Sequence, residues 1–135
     1  LLRLVPNVAR FRTTLRAVKL WSQQRDLNSN LMGFPGGVAW ALLTAKVCQL
    51  NPTAEPSVLL DRFFMTWRLW KFGASPATPV LLTGAEKLST DELPPKLAAH
   101  DWNPARNPRD RAYLMPVITP CRPRLCATHG VTRST

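Results

Sequence analysis

Between Val8 and Leu27, apolar residues recur at steps of three or four, so that Val8, Phe11, Leu15, Val18 and Trp21 fall on one side of the chain. Helical winding brings such positions together, and "NVARFRTTLRAVKLWSQQRDL" is expected to be an amphipathic helix opened by Asn7 as its N-cap after Pro6. From Val38 to Leu50 only Thr44, Lys46 and Gln49 are polar. A helix that is apolar nearly all round belongs at the centre of a bundle. "NPTAEP" ends it, and Ser57 stands ready to cap a third helix, "SVLLDRFFMTWRLWKF". In that helix Leu60, Phe63, Phe64 and Trp67 repeat at i, i+3, i+4 and i+7, a spacing at which an aromatic stripe reads as core.

Beyond Phe72 the periodicity fades. Pro76, Pro79, Pro94, Pro95, Pro104 and Pro108 punctuate residues 73 to 110, as expected of ordered coil and loop. "PVLLTG" is short and apolar enough for a strand, and "MPVITP" reads as an extended segment at a sheet edge. The expected fold is mainly α: a bundle-like helical domain with a Pro-rich, irregular C-terminal half and one or two short strands.

Composition narrows the class. A chain of 135 residues with 45% hydrophobic content is large enough for one core and too apolar for a disordered tail. Three cysteines are an odd number and do not make a disulfide scaffold, so reduced thiols are expected, with Cys48 a small core residue. The opening "LLRLVPNVARFR" has no apolar stretch long enough for a signal peptide, and no segment approaches the roughly 20 apolar residues of a bilayer span. The missing initiator methionine suggests a piece of a longer protein.

The net charge of +10 is unevenly spread. Residues 1 to 30 carry six basic side chains against Asp26, and residues 101 to 135 carry six against Asp101 and Asp110. The middle is nearly balanced. Basic ends around a neutral centre suggest a polyanionic partner, nucleic acid or nucleotide before membrane. Arg12, Arg16 and Lys19 form a stripe along one flank of the first helix, with Lys19 nearest its apolar face. A stripe of this kind is either a solvated face or an anion contact.

Gly36 and Gly37 sit directly before the apolar helix. The first turn of a helix exposes unpaired N–H groups, and a bare backbone lets a ligand approach them closely. Tight helix packing is the structural alternative. No "GK[ST]" follows, so this is not a Walker loop, nor is it GxGxxG. Cys121, Cys126 and His129 make a C-x4-C-x2-H cluster that lacks a nearby fourth ligand, and no metal site is expected there. The scattered carboxylates form no convincing catalytic centre.

Several stretches occur together and in order: "FRTTLRAVKLW", "GFPGGVAWALLTAKVCQLNP", "DRFF", "PVLL", "WNPARNPRDRAYLMPVITP" and "CATHGVTRST". The chain in this respect resembles the central domain of eukaryotic poly(A) polymerase, over nearly its whole length, and the "CATH" ending is most similar to fungal members. The resemblance implies a three-part nuclear enzyme in which ATP and the RNA 3′ end lie between a nucleotidyltransferase domain and this helical domain, with an RNA-binding domain following. Two divalent cations, Mg2+ or Mn2+, would be held by aspartates of the first part, whose motifs these 135 residues do not contain. The chain alone is therefore expected to be inactive.

By the same resemblance, Lys19 in "VKLW" would meet the ATP triphosphate, and Gly37 and Val38 in "GGV" would approach the nucleotide. Asn28 stands where family members carry an ATP-contacting tyrosine. Asn30 would face the adenine nucleotide and Met115 the RNA end; Arg12 and Arg16, from the basic stripe of the first helix rather than from the resemblance, are further candidate RNA contacts. The connection in "TWRLWKFGASPATPV" is longer than the family's. The leading expectation is one wall of an adenylyltransfer cleft; the alternatives are a non-catalytic RNA-binding or assembly module derived from such an enzyme, and a scaffold piece.

Overall fold

A computed structural model describes residues 1–27, 35–72, 78–83, 101–105, 108–111, 113, 115–120 and 125–128. Its core is three helices, α1 (Val8–Gln24), α2 (Gly37–Leu50) and α3 (Pro56–Leu69), which pack pairwise; α4 (Pro108–Arg111) is a single turn. No helix among the described residues is long and apolar enough to cross a membrane.

α1 begins as the sequence indicates, with the Asn7 side chain accepting from the Arg10 amide. It stops in a Schellman arrangement: Asp26 adopts a left-handed φ of 55°, and the Leu27 amide donates back to the Ser22 carbonyl. An Asp tolerates that conformation better than most residues. The buried line of α1 runs through Phe11, Thr14, Val18 and Ser22, while Val8, Leu15 and Trp21 are half-buried at its margins. Periodicity missed Thr14 and Ser22 because they are polar. Their hydroxyls donate to the carbonyls of Arg10 and Lys19, which removes the penalty for burying them.

α2 is central, as its composition requires. Every residue from Ala39 to Cys48 is buried except Lys46, and Thr44 satisfies its hydroxyl on the Trp40 carbonyl. Cys48 is a buried free thiol, pushed up to about 11 by desolvation.

α3 corrects two expectations. It starts one residue before Ser57, with Glu55 at the N-cap position and Pro56 at N1, where the missing proline N–H costs nothing. Its core face is also rotated. Leu59 and Phe63 are buried, whereas Phe64 remains exposed and packs edge-on against Trp21 at 4.9 Å. Leu59 takes the place expected of Leu60, which is only half-buried.

Contacts fix the direction of the bundle. Near the start of α1, the Arg10 guanidinium donates to the Thr53 carbonyl and pairs with Glu55 at 2.7 Å, beside the end of α2 and the start of α3. At the other end Trp21 meets Trp40, and Phe63 links Trp40 to Trp67. The helices therefore run up, down and up. The end of α1, the beginning of α2 and the end of α3 share one pole. The connection after α3 is tied at its flanks, with the Trp70 indole donating to the Thr78 carbonyl and the Thr78 amide to Lys71.

In the C-terminal half three extended pieces meet through single bridges, Val80 with Val117 and Ile118 with Cys126. "PVLLTG" and "MPVITP" are thus neighbours, but "MPVITP" is the middle segment rather than an edge. The Val80 amide donates to Pro116 and the Ile118 amide to Val80 on one side; Thr119 and Leu125, and Ala127 and Val117, are joined on the other. Pro116 and Pro120 frame the paired residues, so neither occupies a position where its missing N–H is needed. The bridges are too short to count as strands. Gln49 of α2 fastens this layer to the bundle: its amide donates to the carbonyls of Leu4 and Thr83 and accepts from the Thr83 amide.

Candidate functional site

The pole shared by the three helices contains the residues singled out by the sequence. Gly36 is the N-cap of α2, extended in backbone and without a side-chain hydrogen bond to the first turn. No acidic residue occupies that turn. Among the described residues no side chain caps its amides, and the helix dipole places partial positive charge on them. α1 differs, because Asn7 serves its first turn.

Gly37 is exposed, and a Cβ built on it would meet nothing within 4 Å. Tight helix packing does not account for this glycine, since the described residues leave room for a side chain. Val38 beside it is 64% exposed, unusual for a valine in an otherwise buried helix. Two turns of helix thus change from open backbone to sealed core between Gly37 and Leu43.

Lys19 is exposed, two residues before Trp21, whose ring lies 6.0 Å from that of Trp40 in the first turns of α2. Two helical positions are about 200° apart, so the Lys19 side chain leaves α1 on the flank away from Trp21. Arg12 and Arg16 share that flank and are exposed as well. Among the described residues none of these three cations has an ion-pair partner, in contrast to Arg10. Lys19, Gly37 and Val38 thus lie towards the same end of the bundle, but the Lys19 side chain leaves α1 on the flank away from the Trp21–Trp40 contact with α2, and Arg12 and Arg16 trail along that flank.

Met115 lies elsewhere, half-buried against the helical core, and its carbonyl accepts from the Thr128 hydroxyl. Asn28 and Asn30 lie outside the described residues, as do Cys121 and His129. Cys126 is buried, with its sulfur 3.4 Å from the Thr128 hydroxyl. Among the described residues, no three His, Cys, Asp or Glu side chains converge as a metal site.

Trp40 was not singled out from the sequence. Its indole N–H is buried and has no acceptor among the described residues, as is also true of Trp67. An unpaired buried donor is costly, and both lie in the aromatic cluster at this pole. Nothing in the spacing of apolar residues marks such a donor, because tryptophan reads as apolar in any hydrophobic pattern.

Lys46 is the one cation in the apolar helix. It is half-buried, and desolvation lowers its pKa from the usual lysine range.

Comparison with known proteins gives a consistent result. Residues 10–135 match the family model described as the poly(A) polymerase central domain. Over all 135 residues the chain is 45% identical to the poly(A) polymerase of Dictyostelium discoideum and 45% identical to poly(A) polymerase PAPalpha of Candida albicans. It is likewise 45% identical to nuclear poly(A) polymerase 4 of Arabidopsis thaliana. The match takes in the whole of this chain but 15%, 22% and 17% of those relatives, respectively. Identity is at the same level in fungal, plant and Dictyostelium relatives. With a family model covering the chain from Arg10 to its last residue, and the three-helix core that the sequence patterns require, the chain belongs to the poly(A) polymerase central domain family.

Proposed function

We propose that this domain forms one wall of the cleft in which a polynucleotide adenylyltransferase joins AMP from ATP to an RNA 3′ hydroxyl, releasing pyrophosphate. The setting is mRNA 3′-end polyadenylation in the nucleus. The observation that carries this reading is the first turn of α2: among the described residues its amides have no capping side chain, Gly37 has free space above it, and Lys19, towards the same end of the bundle, has no ion-pair partner. Such a turn suits the oxygens of a polyphosphate. Membership of the family, and the names of relatives as poly(A) polymerases, supply the substrate class.

In this proposal Lys19 binds a phosphate through a charge-assisted hydrogen bond, and the Gly37 and Val38 backbone lines the nucleotide. Asn28 and Asn30 complete the nucleotide side, with an amide at Asn28 replacing a larger ring. Arg12, Arg16 and Met115 face the RNA. Binding of this kind orients the triphosphate and offsets its charge while the 3′ hydroxyl attacks the α-phosphorus.

Two-metal phosphoryl transfer activates the hydroxyl and steadies the leaving pyrophosphate. The described residues do not fit such a centre, since no three His, Cys, Asp or Glu side chains among them converge. The carboxylates for Mg2+ or Mn2+ would come from a nucleotidyltransferase domain, and an RNA-binding domain would complete the polypeptide. Both are proposed partners of this wall.

Arg12 and Arg16, exposed and without an ion-pair partner among the described residues, favour a second reading, a module that grips RNA backbone without selecting a nucleotide. Lys19→Ala separates the two. The cleft reading expects ATP affinity to fall by roughly five- to 150-fold, the range of one charged contact, with a much smaller change for RNA. Unchanged ATP binding with a uniform fall in RNA binding would leave the second reading standing.

A further inference from the structure

α3 buries one side only. Opposite Leu59 and Phe63, the residues Met65 (46% exposed) and Leu69 (75% exposed) stand in solvent. Together with Asp61, Phe64 and Arg68 they line a shallow groove of about 290 Å³. The stretch "DRFFMTWR", residues 61 to 68, explains its character. Positions 61, 64, 65 and 68 follow i, i+3, i+4, i+7 and share one face.

That face reads the same in both directions except for the sign of its charge. Phe64 and Met65 form an apolar pair in the middle; a carboxylate stands three residues before it and a guanidinium three residues after. Asp61 and Arg68 are two turns apart, about 10.5 Å along the axis, too far to pair with each other. Among the described residues neither has an ion-pair partner. The half-buried Leu60 and the exposed Leu69 extend the same symmetry outward by one position on each side.

We infer that this face docks a second copy of the chain, α3 against α3, antiparallel about a two-fold axis between Phe64 and Met65. In that register Asp61 of each copy faces Arg68 of the other, Phe64 faces Met65, and Leu69 faces Leu60. Every contact is made twice, as an isologous interface requires. Charge complementarity selects this occupant. A partner of uniform sign would satisfy one end of the groove and repel the other, whereas an inverted copy satisfies both.

The helix has 14 residues, about 21 Å of contact length. One face of that length buries less than the roughly 1,200 Å² of a standard stable interface, which places the dimer in the weak, concentration-dependent class.

Sedimentation velocity on the full chain, from low micromolar to near-millimolar concentration, reads this directly. The expected result is a weight-average mass rising towards two chains. D61R and R68D should each raise the dissociation constant at least tenfold by placing like charges opposite one another. The double variant D61R/R68D should restore it to within about threefold, because the complementary pairs re-form with signs exchanged. All three positions of substitution are exposed ones, and circular dichroism checks that helix content is kept. L69S, which alters no charge, should weaken self-association as well. A chain that stays monomeric throughout, single reversals without effect, or a double variant as weak as the single ones would each overturn the inference, as would a groove occupied by another segment or partner.

Discussion

In the helical half of this domain apolar side chains at helical spacing hold the fold; in the described part of the proline-rich half Val80, Leu82 and Val117 are buried in that same core, and backbone groups with a few polar side chains hold its segments to one another. Phe11, Val18, Leu43, Leu59 and Phe63 carry the first region. The second depends on the amide of Val80, the carbonyls of Pro116 and Val117, and the buried Thr128 hydroxyl, which accepts from the Val117 amide and donates to Met115. A small second cluster of Trp102, Ile118 and Cys126, with Tyr113 against it, adds apolar cover. The difference teaches where each region is vulnerable. Loss of volume damages the core that both regions share, and loss of single hydrogen bonds damages the pairing of segments in the layer beside the bundle.

The largest expected effect follows from removing a ring in the bundle. Phe63 is buried and packs against the rings of Trp40, Phe64 and Trp67. Phe63→Ala should cost about 3–5 kcal/mol, read from urea or thermal unfolding, a large share of the stability of any domain this size. A loss below about 1 kcal/mol would show that α3 is not part of the cooperative core.

Gln49 sharpens the comparison, because it joins the two regions. Gln49→Ala removes three hydrogen bonds and leaves backbone groups of Leu4 and Thr83 without their partner, at a cost of about 1–3 kcal/mol. Amide exchange should then quicken at Val80, Ile118 and Ala127, while α1 and α2 keep their protection. Equal acceleration in both halves would mean that the two unfold as one unit.

Alkaline pH acts on the bundle with two opposite signs. The folded Cys48 thiol is raised from 9.0 to about 11, so its contribution is present below pH 9 and is lost as pH climbs towards 11. Lys46, lowered by burial, sheds its proton earlier in the folded state, and stability gains as pH rises towards the ordinary lysine value of 10.5. Lys46→Gln should therefore steepen the alkaline decline, in denaturant midpoints measured between pH 8 and 11. A shallower decline in that variant would contradict the burial of Lys46.

The three helices were legible because hydrophobic side chains at period 3.6 decide them. Even so, the exact faces of α1 and α3 were not. Thr14 and Ser22 entered the core by bonding to carbonyls one turn back, and Leu59 displaced Leu60 as α3 turned to meet α2. Backbone pairing in the second half left a weaker trace. Two apolar runs were visible, but the sequence carried no sign that "MPVITP" would lie between "PVLLTG" and the segment ending in Thr128. At the candidate site, the open glycine turn and the exposed lysine could be anticipated from "VKLW" and "GGV". The buried Trp40 indole could not, since what marks it is the lack of an acceptor among the described residues.

Lys19→Ala is expected to be the mildest of these changes for the fold, within about 0.5 kcal/mol of the parent, because the side chain is exposed and has no ion-pair partner among the described residues. Its effect should appear in nucleotide binding alone.

The most direct measurement is an NMR titration of the isotopically labelled chain with ATP, in which amide shifts report where the triphosphate sits. The account predicts the largest saturable shifts at Gly37, Val38 and Ala39, with a companion shift at Lys19, and their loss in Lys19→Ala. Shifts centred on residues 115–128, or a first turn of α2 that stays silent at saturating ATP, would contradict it.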